Sequence, residues 1–485
     1  MLGRGRSTRR WPHTEGVLGA IYMRRTVLLG AAATLALMIG ASAQAQTIDQ
    51  VLAETYRTNP QLLSDRARQR ATDEGVPRAL SNWRPTVTVS GQAGKGRDRT
   101  RTNINDTTFR ETQLRTPEVA SISVQQPLYR GGRTLAETSR AENLVLQGRA
   151  QLQTTEQSVL LDAATAYVNL LRDQAVLDLN INNEQVLQRQ LDAARDRFQV
   201  GEITRTDVSQ AEARLSRARA DRIQAEGNLT SSRANYLRVV GQPPGRLSAV
   251  AVPAVLPGTE SDAINIAGSE NPAVISARYS ERASRDDVDL ISGELLPTVS
   301  LQGTLARQHE TQTDGFERDV AEANIVLSVP LYQAGQVDAR IREAKQINMQ
   351  RRIAVQDTVN RAREDATRTW EALTTARARI QAFQAQIRAD EIALEGVEQE
   401  ARVGSRTVLD VLDAEQELLD AKVNLVTAQH DEILAAYQLA ASLGRLTAQA
   451  LKLPVEVYDP TIYYNRTRER WWGTDTGDEE KKAGR

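Results

Sequence analysis

Two short stretches decide the fold: VGSRTVLDVLDA at residues 403–414 and VGEITRTDVSQA at residues 200–211. Each begins with Val-Gly, and each then places a threonine three residues before an aspartate. Glycine readily takes the left-handed conformation that ends a helix, and a threonine with an acid three residues later caps the start of the next helix. Each stretch therefore predicts a tight turn between two antiparallel helices.

The helices on both sides of these turns are predicted to be long. The segments at about 132–199 and about 336–402 contain no proline, and each is enough for a helix of about 100 Å at 1.5 Å per residue. Return helices are predicted at about 205–240 and about 408–443. Because a helix of this length is longer than a compact domain is wide, neighbouring helices must cover its apolar residues.

Apolar residues in the return helices follow coiled-coil spacing, with alternating steps of three and four. Arg222 is the one break in the first return helix, where the second has Leu425. Alanine recurs along this seam and lets helices approach closely, which favours a wall of many helices over a two-stranded rod. The seam positions are Val411, Ala414, Leu418, Ala421, Leu425 and Ala428, copied as Val208, Ala211, Leu215, Ala218 and Ala225.

Two halves of the chain match each other, and such internal repetition indicates the architecture. Asn59-Pro60 recurs as Asn271-Pro272 at an offset of 212 residues. From Pro127-Leu128-Tyr129 and Pro330-Leu331-Tyr332 onward the offset is 203, so nine residues are missing from the second half. We predict two repeats, at 46–258 and 259–470.

Each repeat carries two segments in which apolar and polar residues alternate, the pattern of β-strands. One apolar face and one polar face suit an outer-membrane barrel. Four strands cannot close a barrel, which needs about eight or more, so several chains would have to share one. The alternative is a soluble β-sandwich. The predicted strands are at about 85–95, 118–127, 297–307 and 320–330, with a polar loop from about Gly96 to Thr116.

Both ends of the chain carry segments that we exclude from the fold. Residues 23–45 have the basic, apolar and small-residue regions of a Sec signal peptide, with an uncleaved membrane anchor as the alternative. Residues 1–22 are interpreted as an upstream extension from a start codon assigned too early. Residues 471–485 are predicted to be a disordered tail.

Composition argues against several classes of protein. The chain has 485 residues and a net charge of −1, which gives no reason to expect nucleic-acid binding. It has no cysteine, so disulfides and a lipid-anchored N-terminal cysteine are excluded. No phosphate loop or nucleophile elbow appears, and we expect neither an enzyme nor a cofactor or metal site. The histidines are His13, His309 and His430, the last interpreted as a surface residue.

These features resemble the TolC family of outer-membrane factors, in both halves and over essentially the whole mature chain. The resemblance rests on Asn59-Pro60-Gln61-Leu62 and its looser copy at 271–274, on Leu296-Pro297-Thr298, and above all on residues 403–414. It implies an α+β membrane protein, a homotrimer with four strands per chain in a shared twelve-stranded β-barrel. The barrel would continue into a long antiparallel α-helical coiled-coil tunnel in the periplasm.

The function implied by the resemblance is passive export. The trimer would sit in outer-membrane lipid as the duct of a tripartite efflux pump or a type I secretion system. A periplasmic adaptor and an inner-membrane pump or ABC transporter would dock on it and open its periplasmic end. The sequence leaves open whether the cargo is a small compound or a polypeptide. The alternative is that the chain is itself a periplasmic coiled-coil adaptor, although adaptors normally have only one helical hairpin.

Asp410 and Asp413 match the gate acids of the family. They lie three residues apart on one helix face, and threefold symmetry would gather six carboxylates around the tunnel end. Such a ring makes a cation-selective constriction. Asp410 has the counterpart Asp207 and also reads as a capping acid, whereas Asp413 corresponds to Gln210.

Arg406 matches the latch arginine of the family, which bonds to the neighbouring tip at positions matching Thr206 and Asp207. Arg406 belongs to the second copy alone, since the first copy has Ile203 there. The family's latch tyrosine is replaced by Ala401, which predicts a more weakly held closed state.

The turns themselves are the expected adaptor contacts, because the family meets its adaptors there. The contact candidates are Val200, Gly201, Val403 and Gly404.

Overall fold

The computed structural model describes residues 46–476. The predicted upstream extension at 1–22, the predicted signal peptide at 23–45 and residues 477–485 of the predicted tail lie outside the described residues. The start of that tail contains no helix or strand, but the ring of Trp471 lies 4.8 Å from the guanidinium carbon of Arg84. The described chain consists of two successive repeats of helices and strands.

The first repeat contains three short helices, two pairs of strands and two long helices. In chain order they are α1 (Ile48–Thr58), α2 (Pro60–Asp73), α3 (Gly75–Leu80), β1 (Thr86–Ala93), β2 (Gly96–Ile104), β3 (Thr107–Arg115), β4 (Glu118–Arg130), α4 (Arg133–Gln199) and α5 (Arg205–Val240).

The second repeat has the same order with one short helix and one pair of strands fewer. It comprises α6 (Glu260–Glu270), α7 (Pro272–Ser292), β5 (Thr298–His309), β6 (Glu317–Ser328), α8 (Gln336–Arg402) and α9 (Val408–Ser442), and a short helix α10 (Pro460–Thr467) follows.

The paired Asn-Pro motifs start equivalent helices in the two repeats. The side chain of Asn59 accepts a hydrogen bond of 3.0 Å from the Gln61 N–H at the start of α2. The side chain of Asn271 accepts one of 2.8 Å from the Ala273 N–H at the start of α7. Proline follows each asparagine at the first helical position, where no N–H is needed.

Four strands form one antiparallel sheet in the order β1-β4-β5-β6. Across its middle, Val89 pairs with Ile122, Ile122 with Leu305, and Leu305 with Ala321. The face that these residues share is exposed, and Val89 retains 74% of its accessible surface. Within the described chain, β1 and β6 each have one neighbour in this sheet, so both outer edges are open.

The predicted polar loop from about Gly96 to Thr116 is wrong, because this segment forms the antiparallel hairpin β2–β3. Asn105 and Asp106 connect the two strands, with φ angles of 47° and 61°. Positive φ at both positions of a two-residue connection is the geometry of a tight type I′ turn. The strands lack an apolar face, so hydrophobic alternation could not indicate them.

The long helices form two antiparallel hairpins, α4 with α5 and α8 with α9. Most seam alanines and leucines are buried, including Ala211 and Leu215 in the first hairpin. Arg222, the break in the first seam, places its Nε 2.6 Å from the Glu184 carboxylate on α4. None of the described helices has the uninterrupted apolar stretch that a membrane span requires.

One tyrosine on α4 forms hydrogen bonds with both the beginning of the described chain and the segment after α5. The Tyr167 hydroxyl is buried and lies 2.7 Å from the Gln46 carbonyl oxygen. It also accepts a hydrogen bond of 3.0 Å from the Ser248 N–H. This contact holds the extended segment after α5 against α4.

A buried acid and amide join α2 to α4. Gln69 Nε2 donates hydrogen bonds to Asp73 Oδ1 at 2.8 Å and to the Val145 carbonyl at 3.2 Å. Gln69 Oε1 and Asp73 Oδ2 are buried without a hydrogen-bond partner among the described residues. Burial raises the pKa of Asp73 to about 6.

The interpretation of His430 as a surface residue is wrong, since only 7% of its surface is exposed. Its Nε2 lies 2.7 Å from Asn169 Oδ1 on α4, and its Nδ1 lies 3.0 Å from Asp431 Oδ1. The helix face that carries His430 packs on the other hairpin, a contact that the sequence of α9 alone does not specify.

Candidate functional site at the helical tips

Both helical hairpins turn at the same two-residue motif. Gly201 and Gly404 have φ angles of 80° and 81°, the left-handed conformation that glycine adopts without strain. The next N–H in each turn bonds back to the preceding helix, from Glu202 to Arg197 and from Ser405 to Glu400, both at 2.9 Å. These bonds satisfy carbonyls that the helix ends would otherwise leave open.

The return helices start with the same capping box. In the first tip, the Thr204 N–H donates to Asp207 Oδ2 at 2.8 Å, and the Asp207 N–H donates to Thr204 Oγ1 at 3.3 Å. In the second tip, Thr407 and Asp410 make the same two bonds at 2.8 and 3.3 Å. Hydrogen bonds from the Thr407 N–H and hydroxyl lower the pKa of Asp410.

Asp413 lies one turn further along α9 and is exposed. Its carboxylate forms an ion pair with Arg214 on α5, so the pair connects the two hairpins of one chain. Leu412 beside it is 99% buried against apolar residues of the first hairpin, among them Leu215. The position of Asp413 is therefore set by contacts between the hairpins.

Arg406 bonds within its own tip. Its Nε lies 2.9 Å from Glu400 Oε2, and this hydrogen bond raises the pKa of the guanidinium. Thr206 is exposed, and Asp207 is occupied in its capping box. The single chain does not bring Arg406 to either residue, and the latch between tips stays a prediction.

The ends of both hairpins expose apolar side chains. Val200 and Val403 retain 72% and 80% of their accessible surface. The glycines that follow them, Gly201 and Gly404, are exposed as well. Each tip thus presents a small apolar surface to the surroundings.

The sequence profile of the family described as "Outer membrane efflux protein" matches residues 51–242 and 263–445, most of both repeats. The chain belongs to this family. Among its relatives is the outer membrane efflux protein BepC of Brucella suis, which is 33% identical over 466 residues, 96% of this chain and 97% of BepC.

Other members of the outer membrane efflux protein family extend the comparison. The outer membrane protein TolC of Vibrio cholerae is 28% identical over 84% of this chain and 92% of its own length. The alkaline protease secretion protein AprF of Pseudomonas aeruginosa is 24% identical over 74% of this chain and 76% of its own. The solved structure of the outer-membrane channel OprN shares the fold, with a TM-score of 0.71, 21% identity, and coverage of 82% of this chain and 89% of OprN.

Family membership decides between an outer-membrane channel and a periplasmic adaptor. The predicted relationship and the α+β fold, with long helices and a sheet of four strands per chain, are confirmed. The alternative of a periplasmic adaptor is not supported, because the match to outer-membrane efflux proteins spans both repeats. The relatives are channel and secretion proteins of the outer membrane and not enzymes.

Two partners at the tips were missed from the sequence. Glu400 is the counterpart of Arg197, and Arg214 is the counterpart of Glu417. In both cases the charge is reversed between the copies, and this reversal is visible when the sequences of the two repeats are aligned. That signal does not identify the partner, because Arg214 reaches Asp413 only after the hairpins have packed.

Proposed function

We propose that three copies of this chain form an export duct that crosses the outer membrane and extends through the periplasm. The duct would serve a tripartite efflux pump or a type I secretion system and would be passive. An adaptor and an inner-membrane pump or ABC transporter would bind at the helical tips, and the pump would supply the energy.

The observation that carries the proposal is the sheet. It has an exposed apolar face and open edges at β1 and β6, both of which are unfavourable for a chain on its own in water. Four strands per chain become twelve when three chains pair β1 with β6, and a closed barrel has no open edge. Its apolar face would then contact lipid.

The tips would form the constriction of this duct. Hydrogen bonds hold the Asp410 carboxylate in its charged form, whereas Arg214 neutralises much of the charge of Asp413. Threefold symmetry would bring these groups around one axis. Asp410 is therefore expected to supply most of the cation selectivity. Asp413 should contribute less as long as it is paired with Arg214.

The exposed valines of the tips suit the docking of an adaptor. Val200 and Val403 could be covered by apolar residues of a partner, which removes their surface from water. Docking at these ends would separate the hairpins and break contacts such as Arg214 with Asp413. Opening of the constriction would follow from the binding energy of the partner.

The first prediction concerns single-channel conductance of residues 46–485 in planar lipid bilayers. The protein should form small cation-selective channels. The Asp410→Ala/Asp413→Ala variant should lose most of the selectivity, because it removes all the proposed constriction acids. Arg214→Gln should raise selectivity, since it frees the Asp413 carboxylate.

A matched control is Asp192→Ala/Asp196→Ala, which removes two exposed acids from α4 and should leave the selectivity unchanged. A well-folded oligomer that never forms channels would contradict the duct. Channels whose selectivity survives the loss of Asp410 and Asp413 would contradict only the constriction.

A further inference from the structure

The β2–β3 hairpin separates its charges onto two faces. Arg97, Arg99 and Arg101 alternate along β2 and therefore lie on one face. Arg110 on β3 is the direct partner of Arg101, so it lies on the same face. We call these four exposed residues the arginine face.

The acids of the two strands lie on the other face. There Asp98 pairs with Arg115 at 2.6 Å, and Glu111 accepts a hydrogen bond of 2.8 Å from Gln113 Nε2. Among the described residues, the side chains of the arginine face make no ion pair or hydrogen bond. Arg101 directly opposite Arg110 is a destabilising pair of like charges, and an anion bound between them would remove that repulsion.

The hairpin is held in a defined place at its base. The guanidinium of Arg115 bonds to the carbonyl of Thr311 in the connection between β5 and β6. The Thr116 N–H donates to Glu310 Oε2 at 2.8 Å. These contacts lie at the end of the sheet opposite to the helices, since β1 runs from the helical body towards Ala93.

The arginine face continues the apolar face of the sheet. Ala93 pairs with Glu118 in the main sheet and Gly96 with Arg115 in the hairpin, so the two ladders keep one register across a short break. In this register the odd-numbered residues of β1 and β2, from Val89 to Arg97, lie on the same side. An apolar surface is thus followed by a cationic one.

We propose that the arginine face binds the phosphate groups of lipid headgroups at the outer surface of the membrane. This inference rests on the proposed function, which places the helices in the periplasm and the hairpin at the opposite side. A lipid whose tails lie against the apolar sheet would present its headgroup to the arginines. Guanidinium groups recognise phosphate with two parallel hydrogen bonds, and their spacing of about 7 Å along β2 allows several contacts.

The second repeat supports the specificity of this feature. It lacks nine residues here, and β5 and β6 are joined directly without an additional hairpin. The arginine face is therefore not a requirement of the duplicated fold. Each trimer would carry three such faces.

The test uses native mass spectrometry of the detergent-solubilised trimer with lipid A, a glycolipid that carries two phosphates. The parent protein should retain lipid A in preference to the same lipid without phosphates. The Arg99→Gln/Arg101→Gln/Arg110→Gln variant should bind lipid A at least about tenfold more weakly, because three charge-assisted contacts are lost. Lysine at the same positions should give an intermediate affinity, since it keeps the charge without the bidentate geometry.

The matched control is Arg351→Gln/Arg352→Gln/Arg388→Gln, which makes the same change in charge on exposed residues of α8 and should bind lipid A as the parent does. Equal binding by the β2 and β3 variant, or equal binding of the dephosphorylated lipid, would overturn the proposal. Conductance is recorded from each preparation. Normal channels without phosphate-dependent binding would refute this inference alone, whereas the absence of channels would refute the duct.

Discussion

The two helical tips share their backbone and differ in their charges. Both have a left-handed glycine and a Thr-x-x-Asp capping box with nearly identical distances. Around this common frame, the first tip has Arg197, Ile203 and Gln210, where the second has Glu400, Arg406 and Asp413. What a helical turn requires is present in both copies, so the residues found in only one copy are candidates for a function beyond folding.

The far end of the molecule shows the same contrast. Both repeats supply two strands to one sheet, but only the first adds the β2–β3 hairpin. These two unshared features lie at opposite ends of the molecule, the charged tips at one end and the additional hairpin at the other. The predictions below test this division at equivalent positions.

The largest difference is expected at the glycines that end the return helices. Gly241 and Gly444 are equivalent and have φ angles of 84° and 81°. A methyl group at Gly444 would lie 2.8 Å from the Glu270 carbonyl oxygen, whereas at Gly241 the nearest atom within 4 Å is Thr58 Oγ1 at 3.9 Å. Gly444→Ala should lower the free energy of unfolding by about 3 kcal/mol, from left-handed strain and a backbone clash together.

Gly241→Ala is the matched variant and should cost only about 1 kcal/mol, the strain alone. Denaturant unfolding of the two purified proteins measures both values. Equal losses in the free energy of unfolding would show that α6 and the start of α7 move to accommodate the methyl group at Gly444. The two helix ends would then be equivalent in energy as well as in conformation.

Local signals account for what the sequence predicts well. Val-Gly turns, threonine caps and Asn-Pro starts act through bonds within a few residues, so Gly404 and Asn59 can be interpreted without a structure. The hairpin β2–β3 was missed because its strands have no apolar face. His430 and the ion pair of Arg214 with Asp413 were missed because both depend on how the first hairpin packs against the second.

The next prediction concerns the helices that pack on the long helices near the sheet. In the first repeat, Gln69 and Asp73 are buried against α4, and the pKa of Asp73 is raised to about 6 from 3.8. The equivalent residues in the second repeat are Glu281 and Arg285. There Asn348, the counterpart of Val145, donates to the Glu281 carbonyl at 3.2 Å.

The raised pKa makes the first repeat sensitive to pH. The folded chain binds the proton of Asp73 more tightly than the unfolded chain, so protonation of Asp73 stabilises the fold. This stabilisation is complete below pH 4 and is lost as the pH rises through about 6. The free energy of unfolding should fall by about 3 kcal/mol over this interval. Asp73→Asn should remove that fall, because its amide stays neutral and can donate to the open Gln69 Oε1.

Thermal unfolding between pH 4 and 7.5 measures this effect. Asp73→Ala is the control, and it should also remove the dependence but be less stable than Asp73→Asn at every pH, since it leaves a cavity. If the pH dependence persists unchanged in Asp73→Asn, it arises from other carboxyl groups, and the burial of Asp73 does not account for it.

The smallest effect is expected at the second tip, where Arg406 bonds to Glu400 within its own turn. Both side chains are about half exposed, and such ion pairs have small energies. If Arg406 also latches onto Thr206 and Asp207 of the neighbouring tip, Glu400 competes for the same guanidinium. Arg406→Ser should then raise single-channel conductance by about twofold, while Glu400→Gln should lower it, because the freed arginine favours the latch.

The opposite signs of these two changes distinguish a latch between neighbouring tips from an ion pair that acts only within one tip. A bond that acts only inside the turn would make both variants change conductance in the same direction. Arg197→Ser in the first tip is the matched control, since Ile203 there leaves no equivalent pair, and it should not alter conductance. A change as large as that of Arg406→Ser would mean that the charges of the first tip also control the opening. The residues found in only the second copy would then not be the ones that set the conductance of the tips.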